Sequence, residues 1–125
     1  LGLTFYGVSE AHGGMAGERT TVSNALIAEA LAKGDMSLAA ALLVPLSAAN
    51  CIRRWGSPEQ QQRWLPAFVG EASAPVMAIA VNEPEALFDP LKLGTKAKRK
   101  GKHYTLSGEK CLVLRGLDAS HLIIA

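Results

Sequence analysis

Apolar residues in the first half of the chain recur at helical spacing. Val22, Leu26 and Ala30 fall four positions apart within an Ala-, Leu- and Gln-rich stretch from Glu18 to about Val69, and that period predicts helices. Gly34, with Lys33 in the turn before it, marks the end of a first helix. Asp35 or Ser37 is placed to cap the next by accepting from its unpaired amides. The second helix runs through Met36, Ala40, Leu43 and Ser47 to Trp55. It contains Pro45, which has no amide hydrogen and crowds the preceding turn, so a kink or a break is expected there. Gly56-Ser57-Pro58-Glu59-Gln60 then reads as a stop and a restart: Gly at a helix end, Ser57 as N-cap, Pro58 at the first position and Gln60 closing a capping box.

After Gly70-Glu71 the pattern turns from helical to extended. Ala74 to Val81 is a short apolar run bounded by prolines at 75 and 84. Leu91 to Lys98 alternates apolar and basic residues, Lys100-Gly101-Lys102 supplies a turn, and His103 to Leu106 returns as a partner strand, which predicts a hairpin. Gly108 breaks the run before Cys111-Leu112-Val113-Leu114, and Gly116 precedes a last apolar strand at His121 to Ile124. Helices first and strands afterwards predict an α+β arrangement, a helical layer followed by part of an antiparallel sheet.

Composition narrows the classes. The 49% apolar content is too high for intrinsic disorder, and no window approaches the roughly 20 unbroken apolar residues of a bilayer span. Thirteen basic against eleven acidic residues give +2, too balanced for a protein held to nucleic acid by phosphate neutralisation. Cys51 and Cys111 show no CxxC spacing and read as reduced, buried thiols. No secretion signal is visible in Leu1 to Tyr6. An opening inside an apolar-glycine phrase and a close on Leu122-Ile123-Ile124-Ala125 read as a fragment cut at both ends.

Candidate chemistry is sparse. Gly13-Gly14-Met15-Ala16-Gly17 lacks GxGxxG spacing and reads as a turn before a helix. His12, His103 and His121 have no metal-ligand spacing, so no metal is expected. Lys96, Lys98, Arg99, Lys100 and Lys102 read as the solvated surface of a hairpin. Glu83 and Glu85 beside Pro84 are too local to define an acid–base pair. The junction Val81-Asn82-Glu83-Pro84-Glu85-Ala86 stands out as a strand that ends in a loop, where binding residues concentrate.

That junction and its neighbours resemble the acyl-CoA dehydrogenase family, whose members oxidise acyl-CoA thioesters with bound FAD. Leu1-Gly2-Leu3 with Val8-Ser9-Glu10 and Gly13-Gly14 is similar to the family's loop before a helix. Ala28-Glu29-Ala30-Leu31-Ala32 with Gly34-Asp35-Met36-Ser37 is similar to its helix-to-helix phrase. Gly56-Ser57-Pro58-Glu59-Gln60 with Arg63-Trp64-Leu65-Pro66 and Gly70-Glu71 resembles the "GS-x-E-Q-x-x-x-W-L-P … G-E" signature. Asn82-Glu83-Pro84 stands at the "T-E-P" strand end, and Tyr104 to Lys110 resembles "Y-x-L-N-G-x-K".

The resemblance implies a partial N-terminal helical domain over 1–72 and a partial middle β-domain over 73–125. It implies FAD-dependent α,β-dehydrogenation of acyl-CoA, with the family's catalytic glutamate on a C-terminal domain and no catalytic residue in this chain, and a fragment inactive by itself. It places FAD against Val81, Asn82, Leu87, Phe88, Leu112 and Leu114, and the acyl chain along Ala39, Ala40, Leu43 and Ser47. Where the family has Thr, then Gly-Ser, in "T-E-P-x-x-G-S-D", this chain has Asn82, Leu87 and Phe88, with Asp89 kept; its "W-I-T" strand is Leu112-Val113-Leu114. Phe88 has no hydroxyl, and Leu87 lacks the close approach that Gly gives a phosphate. A degenerate flavin site follows as an expectation, with a non-catalytic partner subunit or scaffold that has lost FAD as the alternative. The resemblance further implies a homo- or hetero-oligomer without nucleic acid or membrane span, in the cytoplasm or alternatively the mitochondrial matrix.

Overall fold

In the computed structural model, residues 2–15, 20–70 and 75–125 are described. The expected boundary at 72/73, the start of the apolar run at Ala74 and the far end of the glycine loop at Ala16-Gly17 lie outside them.

The order is helices, then strands. Two short 3-10 turns at Leu3–Gly7 and Glu10–His12 precede α1 (Thr21–Gly34), α2 (Met36–Trp55) and α3 (Pro58–Trp64), which runs into a 3-10 turn at Leu65–Phe68. Strands β1 (Met77–Ala80), β2 (Lys96–Lys100), β3 (His103–Ser107) and β4 (His121–Ile124) follow.

Local chemistry sets the helix ends. The Thr20 side chain accepts from the Ser23 amide at 3.1 Å at the start of α1. Asp35 serves two helices: its amide donates to the Leu31 carbonyl at 3.2 Å, and its Oδ1 accepts from the Leu38 amide at 2.8 Å. At α3 the capping box is complete, with the Gln60 amide donating to Ser57 Oγ and the Ser57 amide to Gln60 Oε1.

At Pro45, where a kink or a break was expected, α2 shows no break. The proline leaves the Ala41 carbonyl without its helical donor, but Val44, Pro45, Leu46, Ala48 and Ala49 are all buried, and that packing holds the segment helical. By length and composition α2 is apolar enough to cross a membrane, yet part of it forms the core. Ala48, Ala49 and Ile52 pack with Val8, Leu65, Phe68 and Met77, and Trp64, Val69 and Ile123 close the cluster. Gly14 completes the wall: its amide donates to the Ser9 carbonyl at 3.0 Å, and a Cβ there would fall on the Val8 carbonyl oxygen. Gly13 turns the chain at φ +85°.

The strands form two ladders. β2 and β3 pair antiparallel, Lys98 opposite Thr105, as the turn chemistry predicts. β1 and β4 pair in parallel, Met77 opposite His121 and Ala80 opposite Ile124. The expected antiparallel sheet is thus only half of what forms. A parallel pair needs a long crossover, and residues 81–120 supply it. Leu112–Leu114, expected as a strand, is a loop and turn instead, because Leu112 and Arg115 hold left-handed backbones at φ +50° and +57° that no extended ladder tolerates.

Candidate functional site

A cleft of about 350 Å³ lies between α2 and the segments that follow β1. Leu43, Val44 and Ser47 come from the helix, and Val81 and Asn82 from the end of the strand. Cys111, Leu112 and Leu114 come from the loop beyond β3. Six residues expected at the site therefore meet around one space: Leu43 and Ser47 from the acyl wall, Val81, Asn82, Leu112 and Leu114 from the flavin side. Four do not line it. Ala39 is buried in α2, Ala40 and Phe88 are half-buried outside the cleft, and Leu87 is fully exposed.

The lining is apolar, with Ser47, Asn82 and Cys111 as its polar side chains. A cleft of this kind suits a hydrophobic ligand oriented by a few hydrogen bonds. Leu112, Val113 and Leu114 amides donate to no group among the described residues, so they and the Asn82 amide are open to an aromatic ring's polar edge. The loop at Leu87 and Phe88 offers a dinucleotide's pyrophosphate no side-chain donor. Its backbone nevertheless keeps a left-handed turn at Leu87, φ +58°, the conformation that glycine favours.

Behind the cleft stands a buried ion pair that the sequence did not single out. Glu83 is 6% exposed, and its Oε1 accepts from Lys110 Nζ at 2.9 Å. The same oxygen takes the Thr95 hydroxyl at 2.6 Å and the Thr95 amide at 2.8 Å, and Oε2 takes the Gly94 amide at 2.7 Å. The Thr95 hydroxyl foremost, then the Gly94 amide, Lys110 and the Thr95 amide push the Glu83 carboxyl down to about 2. Lys110 also donates to the Val81 carbonyl at 3.1 Å, and the Cys111 amide to the Asn82 carbonyl at 2.9 Å. Glycine permits the approach: a Cβ on Gly108, at φ +156°, would sit 2.8 Å from Thr95 Cα. Glu83 and Lys110 stand 27 residues apart, so no local signal pairs them; Lys110, the one lysine after the hairpin, was the available hint.

A second apolar cleft of about 350 Å³ opens between the end of α2, α3 and the β1–β4 ladder. Trp64 meets the His121 ring edge-on at 4.5 Å there, and the Arg63 guanidinium lies 4.7 Å over the Trp64 ring. Cys51 lines this cleft, and burial pushes its thiol up. Both cysteines are free and half-buried. Among the described residues no three His, Cys, Asp or Glu side chains converge as a metal site would require. The basic side chains of β2 are all exposed.

Comparison with known proteins gives a consistent set of likenesses. The family model described as "Acyl-CoA dehydrogenase, N-terminal domain" matches residues 1–72. Cyclohex-1-ene-1-carbonyl-CoA dehydrogenase of Geobacter metallireducens is 34% identical over 124 residues, 99% of this chain and 32% of that protein. Mitochondrial isobutyryl-CoA dehydrogenase of Dictyostelium discoideum is 32% identical over 99 residues, 79% of this chain and 23% of that protein. The crystal structure of acyl-CoA dehydrogenase from Geobacillus kaustophilus superimposes with a TM-score of 0.72 at 28% identity, over 98% of this chain and 33% of that one. The chain thus spans a third or less of the length of these relatives.

Proposed function

The chain belongs to the acyl-CoA dehydrogenase family, and on that premise we propose that it supplies one side of the acyl and flavin cleft of a larger FAD-dependent acyl-CoA dehydrogenase. The observation that carries this reading is the meeting of Leu43 and Ser47 with Val81, Asn82, Leu112 and Leu114 around one apolar cleft. FAD, when bound, supplies the acceptor for the hydride that leaves the acyl β-carbon as a base takes the α-proton. This chain's residues do the holding. Leu43 and Val44 line the space for a hydrophobic acyl group, and Asn82 with the backbone amides of 112–114 addresses the ring edge. We place no catalytic residue in the chain, take 1–72 and 73–125 as parts of two domains, and read the 125 residues alone as inactive.

The flavin site in this reading is degenerate. Losing several hydrogen bonds worth about 1 kcal/mol each weakens affinity by about a thousandfold once about four are gone. Leu87 and Phe88 at the pyrophosphate loop therefore favour a second reading, a non-catalytic partner subunit that keeps the fold without FAD. The visible spectrum of the full-length protein separates the two. Bound flavin that bleaches with acyl-CoA is expected on the first reading; a colourless protein that FAD does not stabilise against heat would overturn it. An oligomer is part of the proposal, supported by Val22, Leu26, Met36 and Leu38, exposed on α1 and α2. So is a cytoplasmic or, alternatively, mitochondrial-matrix location.

A further inference from the structure

We propose that Glu83 and Lys110 are positioning residues for the cleft: their buried pair fixes the spacing between the two segments that face α2 across it, Val81–Asn82 and Cys111–Leu114, and thereby its grip on an acyl thioester. The inference rests on the functional reading above for its ligand, and on geometry for the rest. Neither side chain lines the cleft, but each holds a residue that does or adjoins one that does. Lys110 Nζ bridges Glu83 Oε1 at 2.9 Å and the Val81 carbonyl at 3.1 Å, and one residue further the Cys111 amide binds the Asn82 carbonyl at 2.9 Å.

These segments need such a hold. Leu112 and Arg115 sit in left-handed backbones, which persist only where the surroundings over-determine them. The pair lies outside the hydrophobic cluster of Val8, Ala48, Phe68 and Met77, so loosening it frees the cleft without dismantling the core.

The test uses the full-length protein and two measurements: butyryl-CoA binding by calorimetry, and amide exchange at Cys111 compared with Ser120, whose amide donates to the Val76 carbonyl beside the β1–β4 ladder at 2.9 Å. Lys110→Met is expected to weaken butyryl-CoA binding by about tenfold or more and to speed exchange at Cys111 by a similar factor, with Ser120 unchanged. Lys110→Arg keeps the charge and is expected to recover most of the affinity. Lys110→Met strands a buried carboxylate, so Thr95→Val provides a milder probe. It removes one donor to Glu83 and is expected to cost about threefold in affinity. Unchanged binding in Lys110→Met or Thr95→Val with faster Cys111 exchange would overturn the proposal, as would equal acceleration at Ser120, the mark of general destabilisation. A wild-type protein that does not bind butyryl-CoA would instead overturn the functional reading, a failure seen before any variant is made.

Discussion

Leu87 holds a backbone conformation that its side chain disfavours, at φ +58° with the side chain fully in solvent. A left-handed L-residue costs about 1–2 kcal/mol, and glycine returns about 0.5–1 kcal/mol of that as unfolded-state entropy. Leu87→Gly is therefore expected to stabilise the protein by up to about 1 kcal/mol in urea unfolding. Combined with Phe88→Ser, which restores a hydroxyl beside the turn, it is expected to tighten FAD binding by about tenfold or more in a flavin-fluorescence titration. Glu83 gives a second residue-scale outcome. Its carboxyl is held down to about 2, well below the ordinary carboxylate value of 4.5. The folded state thus binds that proton less readily than the unfolded one. Its contribution to stability is complete above about pH 5 and is lost as pH falls through the folded value. In Glu83→Gln the urea midpoint is expected to be lower at pH 7 and to fall less steeply between pH 5 and pH 2.5.

Among the elements, α3 depends on its start. Ser57→Ala removes the side-chain half of the capping box and is expected to cost about 1 kcal/mol. Pro45→Ala acts in the opposite sense. Restoring a helical amide is worth about 3 kcal/mol, and losing two buried methylenes costs about 1.6 kcal/mol, for a net gain of about 1 kcal/mol in thermal or urea unfolding. These two elements also show how far sequence reaches. Asp35, Ser57, Pro58 and Gln60 act on amides within a turn of themselves, so the helix ends were legible residue by residue. Of the kink or break expected at Pro45, the break does not occur, and the neighbours of the proline are buried. The parallel pairing of β1 with β4 joins residues 44 positions apart, and the Glu83–Lys110 pair joins 27. No turn or periodic signal spans such distances. Resemblance brought six cleft residues together on paper, but Leu87, Phe88, Ala39 and Ala40 needed the fold to be set apart from them.

Across the whole molecule, charge is unevenly spread. Residues 96–107 carry five basic and no acidic side chains, leaving eight basic against eleven acidic residues elsewhere. Every side chain of the β2–β3 hairpin is exposed. Lys98→Ser with Lys100→Ser is expected to leave stability within about 0.5 kcal/mol while lowering the salt needed to elute the protein from a cation exchanger. The core, by contrast, belongs to the helices, β1 and β4. Because β1 and β4 lie side by side, everything between them leaves the core and returns to almost the same place. The left-handed turn at Leu87, the Glu83–Lys110 pair and the basic hairpin all lie on this one excursion from the ladder. Most sequence change within this excursion therefore falls outside the packed cluster of Val8, Ala48, Ala49, Ile52, Leu65, Phe68 and Met77.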